Sequence, residues 1–273
     1  MAKTMCHHCG ATVQDGFNRC YGCGRYNYAD GSTKDRKTIL SKVKPDPIPR
    51  IISGPWDPCF GGGIVRSSVT LLAGEPGAGK STLLLQLANR IGAQANSYVQ
   101  SVVYIATEEN EEQIKERADR LDLENQGTIL LVNAMGGMNL LTLLEETRPY
   151  LVILDSLPGF TGKGTSKDEA IQIIQALKRY AEKNHAPAIV TDHITKDLDF
   201  AGYMSLMHAV DALLMFKVDR TGRDKYTGAI IDKRVLVTEK NRHGKAPVAV
   251  SFDMTESGLM PALDLLAEEA KNL

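Results

Sequence analysis

Residues 74–81 read Gly74-Glu75-Pro76-Gly77-Ala78-Gly79-Lys80-Ser81, the G-x-x-x-x-G-K-[ST] pattern of a phosphate-binding loop. Its setting is what constrains the fold. Val69-Thr70-Leu71-Leu72-Ala73 before it is strand-like, and Thr82-Leu83-Leu84-Leu85-Gln86-Leu87-Ala88 after it is helical in character. Strand, glycine-rich turn and helix start, in that order, aim backbone N–H groups and the positive end of a helix dipole at a polyphosphate. Residues Gly74 through Ser81, with Thr82, are therefore read as the nucleotide contact. Lys80 would reach the β- and γ-phosphates, and Ser81 would give its hydroxyl to Mg²⁺. The chain is expected to bind a nucleoside triphosphate.

From residue 51 onward the pattern alternates between strand and helix. Strands are predicted at 68–73, 101–106, 128–132, 150–155, 187–192, 211–217, 234–239 and 247–252, and helices at 80–92, 109–121, 137–147 and 167–184. The last helix carries Ile171, Ile174, Leu177 and Ala181 on one face. Such alternation behind a phosphate loop predicts an α/β fold, a mainly parallel sheet with helices on both faces. The strand-rich end predicts an antiparallel extension. Residues 31–50 read as a basic linker in which Pro45, Pro47 and Pro49 favour extended chain. Three segments are expected: a small module over 1–30, the linker over 31–50 and a nucleotide-binding core over 51–273.

The small module is defined by cysteine. Cys6-x-x-Cys9 and Cys20-x-x-Cys23 form two knuckles, each followed by glycine. Two such pairs suit a closed, tetrahedral four-thiolate Zn²⁺ site, structural in kind. Disulfides are the competing reading, but no signal peptide is seen and the setting reads as intracellular. Cys59 stands alone and reads as a small buried residue. Formal net charge is −1, so the chain is no polycation. The first 50 residues nevertheless hold nine Lys/Arg against four Asp/Glu, which leaves −6 on the remainder. No apolar run approaches the roughly 18–20 residues needed to span a bilayer, so a membrane role is not expected and a cytoplasmic one is.

Further chemistry should project from the carboxyl ends of the strands. Tyr150-Leu151-Val152-Ile153-Leu154-Asp155 is an apolar strand ending in an acid, so Asp155 is a Mg²⁺ ligand candidate or else a turn cap. Val102-Val103-Tyr104-Ile105-Ala106-Thr107-Glu108-Glu109 ends in two acids. Glu108 is assigned to orienting the attacking water and Glu109 to a helix start. Ala188-Ile189-Val190-Thr191-Asp192-His193 places Asp192 or His193 where a γ-phosphate sensor would sit.

Together these residues resemble the RadA/Sms family of bacterial DNA-repair ATPases, which have a RecA/DnaB-type core. The cysteine spacing agrees, as do Phe60-Gly61-Gly62-Gly63-Ile64-Val65, the run from Gln113 to Leu121, His193-Ile194-Thr195-Lys196 and His208-Ala209-Val210-Asp211. Most specific is Lys240-Asn241-Arg242-His243-Gly244, similar to the family's Lys-Asn-Arg-Phe-Gly signature with histidine for phenylalanine. Thr107 and Asp192 stand where the family usually has glycine. The sequence stops at Leu273, before the Lon-protease-like domain usual in the family, as a truncated form or a compact phage or plasmid relative would.

The resemblance implies an ATP- and Mg²⁺-dependent hydrolase with a zinc finger, assembled as a homo-oligomer, a hexameric ring. Lys240 and Arg242 would act on ATP bound to a neighbouring subunit. Single-stranded DNA would thread two loops, contacted by Phe160, Lys163 and Lys167 in the first and Lys196 in the second. Branch migration, translocation or helicase work in recombination, repair or replication would follow, with a recombination or replication partner. The alternative is a KaiC-like assembly protein, switched by nucleotide, that does not act on DNA. The polar stretch after Val218 looks like an elongated hairpin.

Overall fold

The computed structural model describes residues 4–5, 12–13, 48–94, 101–134, 139–161, 167–193, 200–222 and 232–262. The chain divides into two compact units, residues 1–47 and 48–273. In the first, β1 (Thr4–Met5) pairs antiparallel with β2 (Thr12–Val13), Met5 lying opposite Thr12. The segment joining them carries Cys6 and Cys9. These two cysteines, with Cys20 and Cys23, lie outside the described residues.

The second unit opens with β3 (Arg50–Ile51), paired antiparallel with β4 (Ile64–Val65), so Arg50 at the end of the basic segment is part of a strand. Its main sheet is built from β5 (Val69–Gly74), β6 (Val102–Ala106), β7 (Ile129–Asn133), β8 (Leu151–Asp155) and β9 (Ala188–His193), then β10 (Ala212–Asp219), β11 (Lys233–Asn241), β12 (Val248–Thr255) and β13 (Gly258–Pro261). The order across the sheet is β13-β12-β11-β10-β5-β9-β8-β6-β7. Pairings from β10 to β7 are parallel, and those from β10 out to β13 are antiparallel. The chain leaves β5 and returns in β6 three places away, so β8 and β9 later fill the gap. That reversal beside β5 opens a crevice at the carboxyl ends of the strands.

Helices α1 (Lys80–Gly92), α2 (Glu111–Arg120), α3 (Leu140–Thr147), α4 (Leu157–Thr161), α5 (Lys167–Asn184) and α6 (Phe200–Ala209) complete the fold. Two cores explain the near-continuous apolar strands. Leu72, Tyr104, Ile153 and Ile189 pack with Leu84, Leu87 and Ile91 of α1 on one face. Leu71, Val103, Leu154 and Val190, one residue out of phase, pack with Leu144 of α3 and Ile174 and Leu177 of α5 on the other. Among the described residues no helix is long and apolar enough to cross a membrane.

Two helices stand where loops were expected. Pro158 and Gly159 sit inside α4, where proline is tolerated because the first turn of a helix needs no N–H partner. Phe200-Ala201-Gly202-Tyr203-Met204 opens α6, an element apolar on most of its circumference, which leaves no 3.6-residue period to find.

Candidate functional site

The phosphate loop is shaped by two left-handed glycines, Gly77 at φ 73° and Gly79 at φ 101°. Gly79 is also the residue before the first turn of α1. Lys80 is 5 % exposed, and its ammonium donates to the carbonyls of Gly74 at 2.7 Å and Glu75 at 3.0 Å. Burial pulls its pKa below the ordinary lysine value, while the charges of Asp155, Glu108 and Asp192 oppose that shift. Three acids from three strand ends thus face one buried cation.

Asp155, at the end of β8, is gripped on both oxygens. Tyr104 donates its hydroxyl to Oδ2 at 2.6 Å, and Thr191 donates to Oδ1 at 2.7 Å. The carboxylate faces the phosphate loop across a cleft of about 580 Å³, lined also by Ser81, Thr82, Glu108 and Arg117. Ser81 and Asp155 offer the hard oxygens that suit Mg²⁺, and each carboxylate oxygen keeps a lone pair beyond its hydrogen bond.

The two adjacent acids differ in surroundings. Ser156 donates its hydroxyl to Glu108 Oε1 through a short hydrogen bond. Glu109 instead accepts both ends of the Arg117 guanidinium, at 2.5 and 2.6 Å. The helix begins at Glu111, capped by Asn110, whose side chain accepts from Gln113 N at 2.9 Å while Gln113 Oε1 accepts from Asn110 N at 3.1 Å. The first-turn acids are therefore Glu111 and Glu112, and Glu109 precedes the cap. An Asn-x-x-Gln capping box was the sequence signal for this boundary. Thr107, where glycine was usual, bonds both the N–H (2.8 Å) and the carbonyl (3.1 Å) of Ser156. His193 pairs in register with Gly74, and its side chain lies outside the described residues.

Lys240 and Arg242 lie at the other end of the sheet. Leu213 pairs with Lys240 on one side and with Leu71 on the other, near the start of β5. Lys240 donates to the carbonyls of Met207 (2.6 Å) and Val210 (2.7 Å) at the carboxyl end of α6. Arg242 donates to Asp211 Oδ1 at 3.0 Å, and Lys178 meets the same oxygen at 2.7 Å. Asp211 Oδ2 accepts the Val69 N–H at 3.1 Å. Burial opposes ionisation of Asp211, but Lys178, the Val69 N–H and Arg242 together hold its carboxyl below the usual range. Lys178 and Asp211 were not singled out from sequence for this cluster, because 33 residues separate them.

The signature turn has a packing reason too. Gly244 and Gly61 approach so closely that a Cβ on Gly244 would lie 2.8 Å from Gly61 Cα. Arg50 ties this contact, donating to the carbonyls of Phe60 (3.2 Å), Gly63 (2.9 Å) and His243 (2.7 Å). Phe160 is half-buried, packed against the core on the α5 side, and lines a groove with Leu140, Leu141 and Ile173. Lys163, Lys196 and the side chain of Lys167 lie outside the described residues. One further cation escaped sequence reading: Arg234 of β11 is 6 % exposed, lines the cleft and touches the phosphate loop.

A family model described as an AAA domain matches residues 55–199, more than half of the chain. DNA repair protein RadA of Bacillus subtilis is 30% identical over 97% of this chain and 61% of its own length. The protein of that name from Rickettsia bellii is 33% identical over 94% of this chain and 58% of its own, and that from Mycobacterium tuberculosis 32% over 96% and 57%. The chain thus spans less than two thirds of the length of these curated relatives. In structure it is similar to a KaiC-like protein of the archaeon Pyrococcus horikoshii, with TM-score 0.61 and 17% identity over 79% of this chain and 99% of that one. That is a likeness of fold: a mixed α/β RecA/KaiC-like architecture.

Proposed function

The chain belongs to the AAA-domain family, and from that premise we propose that it is an ATP hydrolase of the RadA type, a ring-forming motor on single-stranded or branched DNA. The observation that carries this reading is the separation of Lys240 and Arg242 from the phosphate loop of their own chain. They cluster with Asp211 beside Val69, whereas the loop follows Gly74. Five residues of strand span about 17 Å. A cation so placed has no path to the γ-phosphate of its own site and is available to a neighbouring subunit's.

Within one subunit the division of labour follows from surroundings. The loop N–H groups and Lys80 hold the polyphosphate. Ser81 and Asp155 would hold Mg²⁺, which when bound draws charge from the phosphate oxygens. Glu108 orients and deprotonates the attacking water, with His193 or Asp192 at the γ-phosphate. Lys240 and Arg242 complete the site in trans. Phe160, Lys163, Lys167 and Lys196 are the proposed DNA contacts, and Cys6, Cys9, Cys20 and Cys23 the proposed Zn²⁺ ligands of a cytoplasmic protein. The name of the RadA relatives supports the DNA-repair setting.

The test is ATP turnover with and without single-stranded DNA. Stimulation by DNA is expected. Equal rates in both conditions, with nucleotide-dependent assembly, would instead favour the KaiC-like switch.

A further inference from the structure

Arg234 is the buried cation that the reading above leaves without a task. Its Nε–H donates to the carbonyl of Ala78 at 2.7 Å, bridging 156 positions of sequence. Its Nη atoms grip Asp232 at 2.6 and 3.2 Å, and Nη1 also reaches the Lys233 carbonyl at 3.4 Å. Arg220 stands 3.9 Å from Asp232 and is largely exposed. The guanidinium is thus fixed from behind by a carboxylate and presents one donor to the loop.

The consequence follows from peptide geometry. The bond between Ala78 and Gly79 is planar and trans, so the Ala78 carbonyl and the Gly79 N–H point in opposite directions. Holding the carbonyl against Arg234 turns the Gly79 N–H away from the guanidinium. That N–H donates to no described group. The Ala78–Gly79 peptide turns about Ala78 ψ and Gly79 φ, and Gly79, at φ 101° and without a Cβ, lets it flip at little steric cost in the absence of a restraint. Glycine makes the loop possible, and an external hold is needed to keep its donors aligned.

We infer that Arg234 is a positioning residue for nucleotide binding: a strut from β11 that locks the Ala78–Gly79 peptide so that the Gly79 N–H is preset for a polyphosphate. The role is mechanical, and its charge is already matched by Asp232. It rests on the reading of residues 74–81 as a nucleotide loop.

The experiment measures ADP affinity and nucleotide-free melting temperature for the wild type, R234Q, R234K and, as a control, R220Q. Both Arg234 variants should bind ADP roughly tenfold or more weakly, the loss that goes with a charge-assisted hydrogen bond. Lysine should fail like glutamine, because it keeps the charge but cannot hold Ala78 and Asp232 through one planar fork. Adenosine affinity, which involves no phosphate, should not change, and R220Q should match the wild type. Wild-type affinity in R234K would show that charge alone matters and overturn the inference, as would equal losses for ADP and adenosine. Should R234Q not fold, R234K carries the test. Failure of both to fold would assign Arg234 to stability and overturn it too. A wild-type chain that binds no ADP would instead remove the nucleotide-loop reading.

Discussion

Tyr104 donates its hydroxyl to Asp155 across the boundary between β6 and β8, at 2.6 Å. The tyrosine is 1 % exposed, and burial together with the Asp155 charge raises its pKa well above the ordinary phenol value. It therefore stays a proton donor at all working pH values. With Thr191 on the other oxygen, the carboxylate has one orientation in which both bonds are made. Tyr104→Phe removes one hold at little cost in volume. The Mg²⁺ concentration for half-maximal ATP turnover should rise about three- to tenfold, in line with one lost hydrogen bond to a charged group. A Mg²⁺ titration of initial rates checks this, and an unchanged midpoint would mean that Thr191 suffices.

Glu108 and Glu109 should separate by substitution. Glu108→Gln keeps shape and should bind ATP yet hydrolyse it at least about a hundredfold more slowly, as expected when a group acting on the transition state is lost. Glu109→Gln breaks the bidentate pair with Arg117, both partners being partly exposed. It should lower stability by no more than about 1 kcal/mol and leave most activity. Single-turnover rates beside thermal melts distinguish the two, and the reverse ranking would reassign the water to Glu109.

Lys240 and Arg242 should be needed only by a neighbour. Arg242→Ala and Lys80→Ala chains should each be inactive alone, with a loss on the order of 10³-fold for the trans cation. Mixed, they create some interfaces with an intact loop facing intact cations, so part of the activity should return. Co-purification of differently tagged chains establishes exchange. With exchange shown, no recovery would place the cations in service of their own chain.

Asp211 gives the acid response a defined sign. Its folded carboxyl titrates below the ordinary value of 3.8, so its contribution is fully present above that pH and is lost as pH falls through the lower folded value. Asp211→Asn leaves Lys178 and Arg242 without their shared anion and should cost about 1–3 kcal/mol at neutral pH. The gap between the two proteins in denaturant melts should narrow as pH drops below about 4. A gap that stays constant down to pH 2 would show that charge contributes nothing.

The cysteines should fall into two chemical classes. Burial pushes the Cys59 thiol up to about 11, and the thiol donates to the Leu236 carbonyl at 3.3 Å. It should resist thiol reagents at pH 8 until the core unfolds. Cys6, Cys9, Cys20 and Cys23 should become reactive together when a chelator removes one Zn²⁺ per chain. Elemental analysis finding no zinc in the reduced protein would remove that site.

Local pattern determined much of this molecule. The eight strands read from sequence correspond to β5 through β12 and differ from them by at most three residues at either end, and α1 and α5 coincide with their predicted spans. Strand β13 and the two-residue strands β1 to β4 have no counterpart in that reading. Apolar runs that end in acids announce buried strands and their functional ends, because burial on two faces leaves no room for polar residues until the chain emerges. The phosphate loop is legible for a similar reason, its glycines and lysine being contiguous. Only the tertiary structure decided what distant residues do to one another. The double hold on Asp155 and the sharing of Asp211 by Lys178 and Arg242 depend on which strands and helices lie side by side. Arg234 shows the limit most plainly. It stands 156 positions from Ala78 in sequence, yet that loop carbonyl and the neighbouring Asp232 make its burial favourable. A single side chain carries no mark of such a partner; the fold supplies it.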